Sequence, residues 1–433
     1  MAGRSKSRTI RVQALARVEG EGALYARVRD GRVVELRLII YEPPRFFEAF
    51  LRGRRYDEPV DITARICGIC PVAYQMSACN AIESVLGVRV PEEIRPLRLL
   101  LYYGEWIESH ALHVFLLHLP DFLGYASALD MARDHAEWIE TGLAIKKTGN
   151  QILECIGGRS VHPINVRVGG FYRAPSPEDI RALREPLLRA RDRVITAVRF
   201  FARLDYPDFE REYTFVALRH PQEYAILDGR IVSNRGLDIP VSDFEMVFEE
   251  YPVTYSNALH AVIRGQGPYM VGPMARFNLN FPQLVPIARE VAREVGITPP
   301  VRNPFRSILV RCIEMLHACE SALRIVENYT PPARPAVDVI PRPGVGCGAS
   351  EAPRGLLYHR YRIDPEGRIA EARIVPPTSQ NQACIETDLE RWIPRILHLP
   401  RARMVEQCEQ AIRNYDPCIS CATHFLRVHI EEA

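Results

Sequence analysis

Two Cys-x-x-Cys pairs stand at opposite ends of this chain, and their separation constrains the fold more than any other feature. The first lies in Arg65-Ile66-Cys67-Gly68-Ile69-Cys70, the second in Asp416-Pro417-Cys418-Ile419-Ser420-Cys421, with His424 three residues further on. A Cys-x-x-Cys turn aims two sulfurs at one point. Two such turns supply four thiolates, a donor set that selects zinc, copper, nickel or iron. Between Cys70 and Cys418 lie 347 residues. A zinc ribbon closes a short loop, whereas here nearly the whole chain has to fold before the halves can meet. The metal is therefore expected between segments at the centre of a large fold. Zinc is the common metal of four-sulfur sites, so a zinc-stabilised structural subunit stays open at this point.

At 433 residues the chain can bury a large core. Its formal net charge of +2 implies neither nucleic acid nor an anionic membrane as a partner. The start, Met1 to Arg8, is polar and basic, no apolar stretch of signal length follows it, and no run of 18 apolar residues occurs. The expected location is cytoplasmic, with no membrane span. Eleven cysteines in such a chain read as free or metal-bound thiols rather than a disulfide framework. Outside the two pairs, Cys79, Cys155, Cys312, Cys319, Cys347, Cys384 and Cys408 show no iron–sulfur spacing, so no iron–sulfur cluster is expected in this chain.

The apolar patterning predicts an α+β fold, predominantly helical: a long-helix bundle core with peripheral antiparallel β-hairpins. Alternation over 8–40 around Asp30-Gly31 predicts an N-terminal hairpin. Helical spacing covers 61–87, 94–119, 143–156, 175–204, 283–295 and 303–327. Irregular strands and loops are expected over 207–275, and a second hairpin over 356–375. Helices near 384–397 and 401–414 lead into the last motif. The reading is one domain over 1–433: hairpin 8–40, helical core 44–327, a C-terminal hairpin and metal-binding segment 344–424, and a tail 425–433.

Several motifs then agree in order along the chain. Arg17-Val18-Glu19-Gly20, Arg45-Phe46-Phe47-Glu48, the first cysteine pair, Glu351-Ala352-Pro353-Arg354-Gly355, Val375-Pro376-Pro377-Thr378 and Asp416-Pro417-Cys418-x-x-Cys421-x-x-His424 together resemble the large subunit of nickel–iron hydrogenases. The resemblance spans almost the whole length. It implies reversible cleavage of hydrogen at a nickel bound by four thiolates, two of which bridge to an iron carrying carbon monoxide and cyanide. By the same resemblance Cys67 and Cys418 are terminal nickel ligands, and Cys70 and Cys421 bridge. Glu19 matches the carboxylate that relays protons, although the usual His after Glu-Gly is Glu21 here. Glu48 and His424 match ligands of a magnesium ion, completed by a carbonyl near Arg373 or Ile374. Arg354 matches the arginine over the bimetallic centre, with Pro353, Pro377 and Thr378 around the diatomic ligands.

His110 and His113 sit at i, i+3 on a predicted helix without an acidic metalloprotease motif, and read as buried histidines behind the site. Asp416 is the expected counter-charge for Arg354, because Ser109 stands where some relatives carry an acid. The two electrons released by hydrogen need a wire that this chain lacks, so a small subunit carrying iron–sulfur clusters is implied. Local runs such as Pro44-Arg45-Phe46-Phe47-Glu48-Ala49 and Leu119-Pro120-Asp121 resemble the cytosolic branch coupled to NAD(P). With no Gly-x-Gly-x-x-Gly fingerprint in the chain, NAD(P) and flavin would bind further subunits. The runner-up is a soluble branch that passes electrons to a deazaflavin, a ferredoxin or a heterodisulfide reductase. A metal-free scaffold subunit of a related proton-pumping complex is a third reading, and the full cysteine set argues against it. Finally, the resemblance implies a maturation endopeptidase that removes residues 425–433 by cutting after His424 once nickel is in place.

Overall fold

The computed structural model describes residues 7–43 and 45–423. It begins with a three-stranded antiparallel meander, β1 (Ser7–Val12), β2 (Gly22–Arg29) and β3 (Arg32–Ile40), in the order β1-β2-β3. Asp30 and Gly31 both take positive φ, 50° and 79°, the two-residue turn whose twist suits antiparallel strands. The expected hairpin thus gains β1, which pairs from Ser7↔Arg29 to Val12↔Leu24. Period-two alternation turns Leu24, Ala26 and Val28 of β2 into the core.

The helical pattern read over 61–87 is interrupted. After α1 (Phe47–Leu51), helices α2 (Pro59–Ala64) and α3 (Pro71–Leu86) leave residues 65–70 as a loop. Pro71 is the cause: it opens α3 and pushes the preceding Cys70 out of helical geometry, to φ −122° and ψ 41°. Helix α4 (Arg95–Ala111) runs on into a π-helical stretch, Leu112–His118. Helices α5 (Ala136–Gly157) and α6 (Arg184–Phe201) follow, with a Ser176 capping box marking the predicted helix start at Pro177.

The stretch 207–275 folds as short strands, as expected. A small sheet of β4 (Val216–Arg219), β5 (Arg230–Ser233) and β6 (Asp238–Ile239) is followed by the pair β7 (Phe248–Val253) and β8 (Ser256–Ile263). Helix α7 (Pro273–Asn280) leads to the long α8 (Ser307–Glu327). In the bundle, α4 packs against α5 and α8, and α8 against α6.

The second hairpin is a three-stranded sheet, β9 (Gly344–Ala352), β10 (Gly355–Ile363) and β11 (Ile369–Val375), and it lies against α3 instead of at the periphery. Its glycines explain the difference. A Cβ at Gly346 would stand 2.6 Å from the Ala81 carbonyl, and one at Gly348 2.7 Å from that of Ser77, so only glycine lets β9 rest on the helix backbone. Helices α9 (Pro377–Ile396) and α10 (Arg401–Arg413) and a 3₁₀ turn, Ile419–Thr423, complete the described chain. Among the described residues no helix is long and apolar enough to cross a membrane.

Candidate metal centre

The loop 65–70 and the C-terminal turn are drawn together by main-chain contacts and one arginine. Glu19 pairs with Cys418 as an isolated parallel bridge, in which the Ile419 N–H donates to the Glu19 carbonyl at 3.0 Å. Arg45 then grips both cysteine pairs. Its Nη2 donates to the Ile66 carbonyl at 2.6 Å and to the Ser420 carbonyl, the residues just before Cys67 and Cys421. Its own N–H donates to the Thr423 carbonyl at 2.6 Å. No sequence spacing announces this role: Arg45 is visible only as part of a motif.

The four sulfurs of Cys67, Cys70, Cys418 and Cys421 lie within 4.8 Å of one another, and all four residues are buried. Cys67 Sγ is 3.4 Å from Cys418 Sγ, Cys70 Sγ is 3.7 Å from Cys421 Sγ, and Cys418 Sγ is 2.7 Å from Cys421 Sγ. The hydrogen bond from Cys418 and the charge of Arg354 hold the Cys67 thiol below its ordinary range, whereas burial raises Cys418 and Cys421. Four buried thiols at this spacing cannot all ionise against each other unless a cation sits among them. The donor set therefore fits a thiolate-bound metal, nickel among the candidates. Backbone N–H groups of Ile69 and Cys70 also point at Cys67 Sγ, at 3.2 and 3.3 Å, and favour its thiolate form.

Glu19 enters from the chain before β2. Its Oε2 is 3.1 Å from Cys418 Sγ and accepts the Ser420 N–H at 3.0 Å. Arg354, in the turn between β9 and β10, is buried and donates through Nε to the Asp416 carbonyl at 2.7 Å and through Nη2 to Asp416 Oδ1 at 3.0 Å. The expected pairing with Asp416 is thus present. Burial works against the Arg354 charge, but Asp416 and the thiols raise its pKa further above the ordinary value. Among the described residues Nη1 has no hydrogen-bond partner. Thr378 Oγ1 accepts the Cys418 N–H at 3.1 Å, and Pro377 opens α9 directly before it.

Behind Arg354 lies a second buried arginine that the sequence did not single out. Arg276, on α7, has five N–H groups, and all five are used. They reach Glu314 twice (2.8 and 2.7 Å), Glu351 (3.0 Å), and the carbonyls of Ala352 (2.8 Å) and Pro353 (3.0 Å). The last two carbonyls immediately precede Arg354. Gly272, at φ 107°, lets the start of α7 approach the same turn: a Cβ there would stand 2.7 Å from the Arg354 carbonyl. His110 joins this network through Nε2 to Glu314 at 3.0 Å, and burial pushes its pKa down to about 4. His113 Nε2 sits 2.8 Å from the Arg413 carbonyl, and burial lowers it as well. Both histidines are neutral members of the packing behind the site.

Glu48 Oε1 accepts the Ile374 N–H at 2.8 Å, so the structure brings the carboxylate to the segment whose carbonyl was expected beside it. His424 and the tail 425–433 lie outside the described residues.

Comparison with known proteins agrees with this geometry. The family model described as nickel-dependent hydrogenase matches residues 45–142 and 287–424. Sulfhydrogenase 1 subunit alpha of Pyrococcus furiosus is 32% identical, covering 97% of this chain and 98% of its own length. Sulfhydrogenase 2 subunit alpha of the same organism is 35% identical, covering 97% and 100%. A crystal structure of an NAD+-reducing nickel–iron hydrogenase in its H2-reduced state superposes with a TM-score of 0.87 at 27% identity, over 96% of this chain and 99% of the other. With four thiols converging at one buried point and matches across both cysteine pairs, this chain belongs to the nickel-dependent hydrogenases, as a large, catalytic subunit.

Proposed function

We propose that the chain splits hydrogen at the four-cysteine centre and passes the electrons, through a small subunit carrying iron–sulfur clusters, to NAD(P) bound on further subunits. Cys67, Cys70, Cys418 and Cys421 would hold a nickel–iron pair with carbon monoxide and cyanide on the iron, and that pair would supply the heterolytic cleavage of hydrogen. The observation that carries the reading is the contact of Glu19 with Cys418. A carboxylate 3.1 Å from one thiol of the centre can take a proton from that sulfur, and an ordinary surface glutamate would not be there. Cys418 is then the thiol that first holds the proton, and Cys67, Cys70 and Cys421 would complete the donor set for the metals. Arg354 has an unshared Nη1 that would polarise or anchor what binds at the centre, and Pro353, Pro377 and Thr378 would wall the pocket. Glu48, with the carbonyl of Arg373 or Ile374 and with His424, is assigned to a magnesium ion.

Gly68, between two buried cysteines, is exposed, so the centre lies just beneath the surface there. That supports a docked partner on this face. NAD(P) as acceptor is supported by the likeness to the NAD+-reducing enzyme. A second reading, favoured by the two sulfhydrogenase subunits, has sulfur as the acceptor.

The test is metal analysis of the purified complex followed by hydrogen-dependent reduction of NAD+, NADP+ and sulfur. Nickel and iron together with NAD(P)H formation support the proposal. Zinc alone, or no metal, overturns it, and reduction of sulfur without NAD(P) selects the second reading. The chain is buried through Thr423, which supports removal of 425–433 after metal insertion. An active large subunit whose intact mass retains the tail would refute that step.

A further inference from the structure

We infer that Ser420 and Glu42 carry the proton onward from Glu19 to solvent, a step that rests on the assignment of Glu19 above. Ser420 Oγ stands 2.5 Å from Glu19 Oε1 and 2.7 Å from Glu42 Oε1. A hydroxyl has one proton to give. It can donate that proton to one carboxyl group while its oxygen accepts from the other. A hydroxyl both donates and accepts, so one that stands between two carboxyl groups can relay a proton from the first to the second.

The surroundings hold the three groups in line. Ser420 is fixed by its own N–H on Glu19 Oε2, and the Glu42 main chain is held by Asn257 Nδ2 on its carbonyl at 3.2 Å. Gly20, at φ 87°, makes room: a Cβ there would stand 2.6 Å from Glu42 Oε2 and 2.7 Å from Ile419 Cβ. Glu42 is half-buried and so reaches water, whereas Ser420 is nearly enclosed, at 8% exposed. The chain Cys418, Glu19, Ser420, Glu42 thus runs from the centre to the surface in three contacts of 3.1, 2.5 and 2.7 Å. It also gives an outlet that does not need the histidine replaced by Glu21.

The proton balance is simple. Glu42 first releases its proton to water. Glu19 accepts one from Cys418 on Oε2 and turns that oxygen toward Ser420 by rotating its carboxyl group. Ser420 passes its own hydroxyl proton to Glu42 as it receives that of Glu19. One proton enters at Cys418 and one leaves at Glu42, with no redox change.

The experiment uses the assembled, metal-loaded complex and compares Glu42→Gln, Ser420→Ala and Glu19→Gln. Glu42→Gln and Ser420→Ala should retain nickel and iron and keep KM for hydrogen. Their kcat should fall roughly 10- to 100-fold, the range for losing a positioned proton carrier, and the solvent isotope effect on kcat should rise. In infrared difference spectra, a carboxyl band that shifts in D2O should disappear in Glu42→Gln. If Glu19→Gln is impaired while the other two match wild type in kcat, isotope effect and carboxyl band, the proton leaves Glu19 by another way and this inference is wrong. If Glu19→Gln itself behaves as wild type, the assignment of Glu19 falls first, and this inference falls with it.

Discussion

Two buried arginines meet at the same short turn, Arg354 within it and Arg276 on the carbonyls of Ala352 and Pro353, and are built for different work. Arg276 has every donor satisfied, by two carboxylates and two carbonyls, and its guanidinium also lies 4.3 Å from the Trp106 ring centroid. Arg354 spends two donors on Asp416 and leaves Nη1 without a partner among the described residues. A buried charge is stable only when paired and hydrogen-bonded. A fully used guanidinium therefore holds structure, and one with an idle donor faces whatever binds beside it. The pair teaches that the scaffold for the reactive arginine is another arginine, and that burial alone does not tell them apart.

The largest effect should come from breaking the saturated side. Arg276→Met leaves Glu314 and Glu351 buried without their cation and is expected to destabilise the subunit by about 3–5 kcal/mol. It should lower the unfolding midpoint of the complex and deplete metal-loaded enzyme. Adding Glu314→Gln and Glu351→Gln should recover part of the loss. A midpoint unchanged in the single variant would mean that the network is not what holds the turn.

The open side should fail differently. Arg354→Lys keeps a charge for Asp416 but cannot reproduce the planar fork. Hydrogen turnover is expected to drop about 100- to 1000-fold, in the range lost with one preorganised donor, with metal content and unfolding midpoint close to wild type. Parallel losses of stability and activity would erase the distinction between the two arginines.

Carboxylates extend the comparison. Glu19 touches a thiol of the centre, and Glu314 bonds to Arg276, His110 and the Tyr224 hydroxyl. Glu19→Gln should slow hydrogen–deuterium exchange about 100-fold while leaving nickel and iron in place, because shape persists and the proton acceptor is lost. Exchange at the wild-type rate would remove Glu19 from the proton path.

The smallest effect concerns pH. Arg276 holds Glu314 below the ordinary carboxylate range against the cost of burial, and burial pushes Glu351 up to about 7. One guanidinium cannot ionise both acids equally. For Glu351 the folded value lies above the unfolded one of about 4.5, so its contribution to stability is full below that value. That contribution is lost as pH rises toward 7. Glu351→Gln should flatten the decline in unfolding midpoint across this window, and an unchanged pH profile would show that Glu351 is ionised throughout.

Much of this site was legible in the chain. Cys67, Cys70, Cys418 and Cys421 are read from residue type and spacing, because thiolate chemistry is local to the side chain. Glu19 and Arg354 were legible only through motifs, since a glutamate or arginine has no spacing that distinguishes it from a surface charge. Asp416 was anticipated as a counter-charge because the site needed one. Arg276, Ser420 and Glu42 carried no signal, and Arg45 was visible only within its motif, with no sign of what it grips. Each acts through a partner at least 20 residues away, such as Arg45 on Ser420 or Arg276 on Glu314. The interrupted helix at 65–70 was missed although Pro71 marked it, because the apolar period continues through the loop. The first strand of the C-terminal sheet was missed because Gly344, Gly346 and Gly348 weaken a strand pattern, and close packing on α3 requires two of them.

By itself, the sequence determined the donor set, the helical bulk of the fold, the turns at Asp30-Gly31 and Pro177, and the order of motifs along the chain. These depend on residue chemistry and short-range periodicity, which act within a turn or two. Only the tertiary structure decided which charges meet: that Arg45 joins the two cysteine pairs, that Arg276 is spent and Arg354 is not, and that Ser420 bridges two acids. Those outcomes depend on segments tens to hundreds of residues apart arriving within about 3 Å, where a hydrogen bond forms or a donor is left over. That distance is set by the packing of the whole chain.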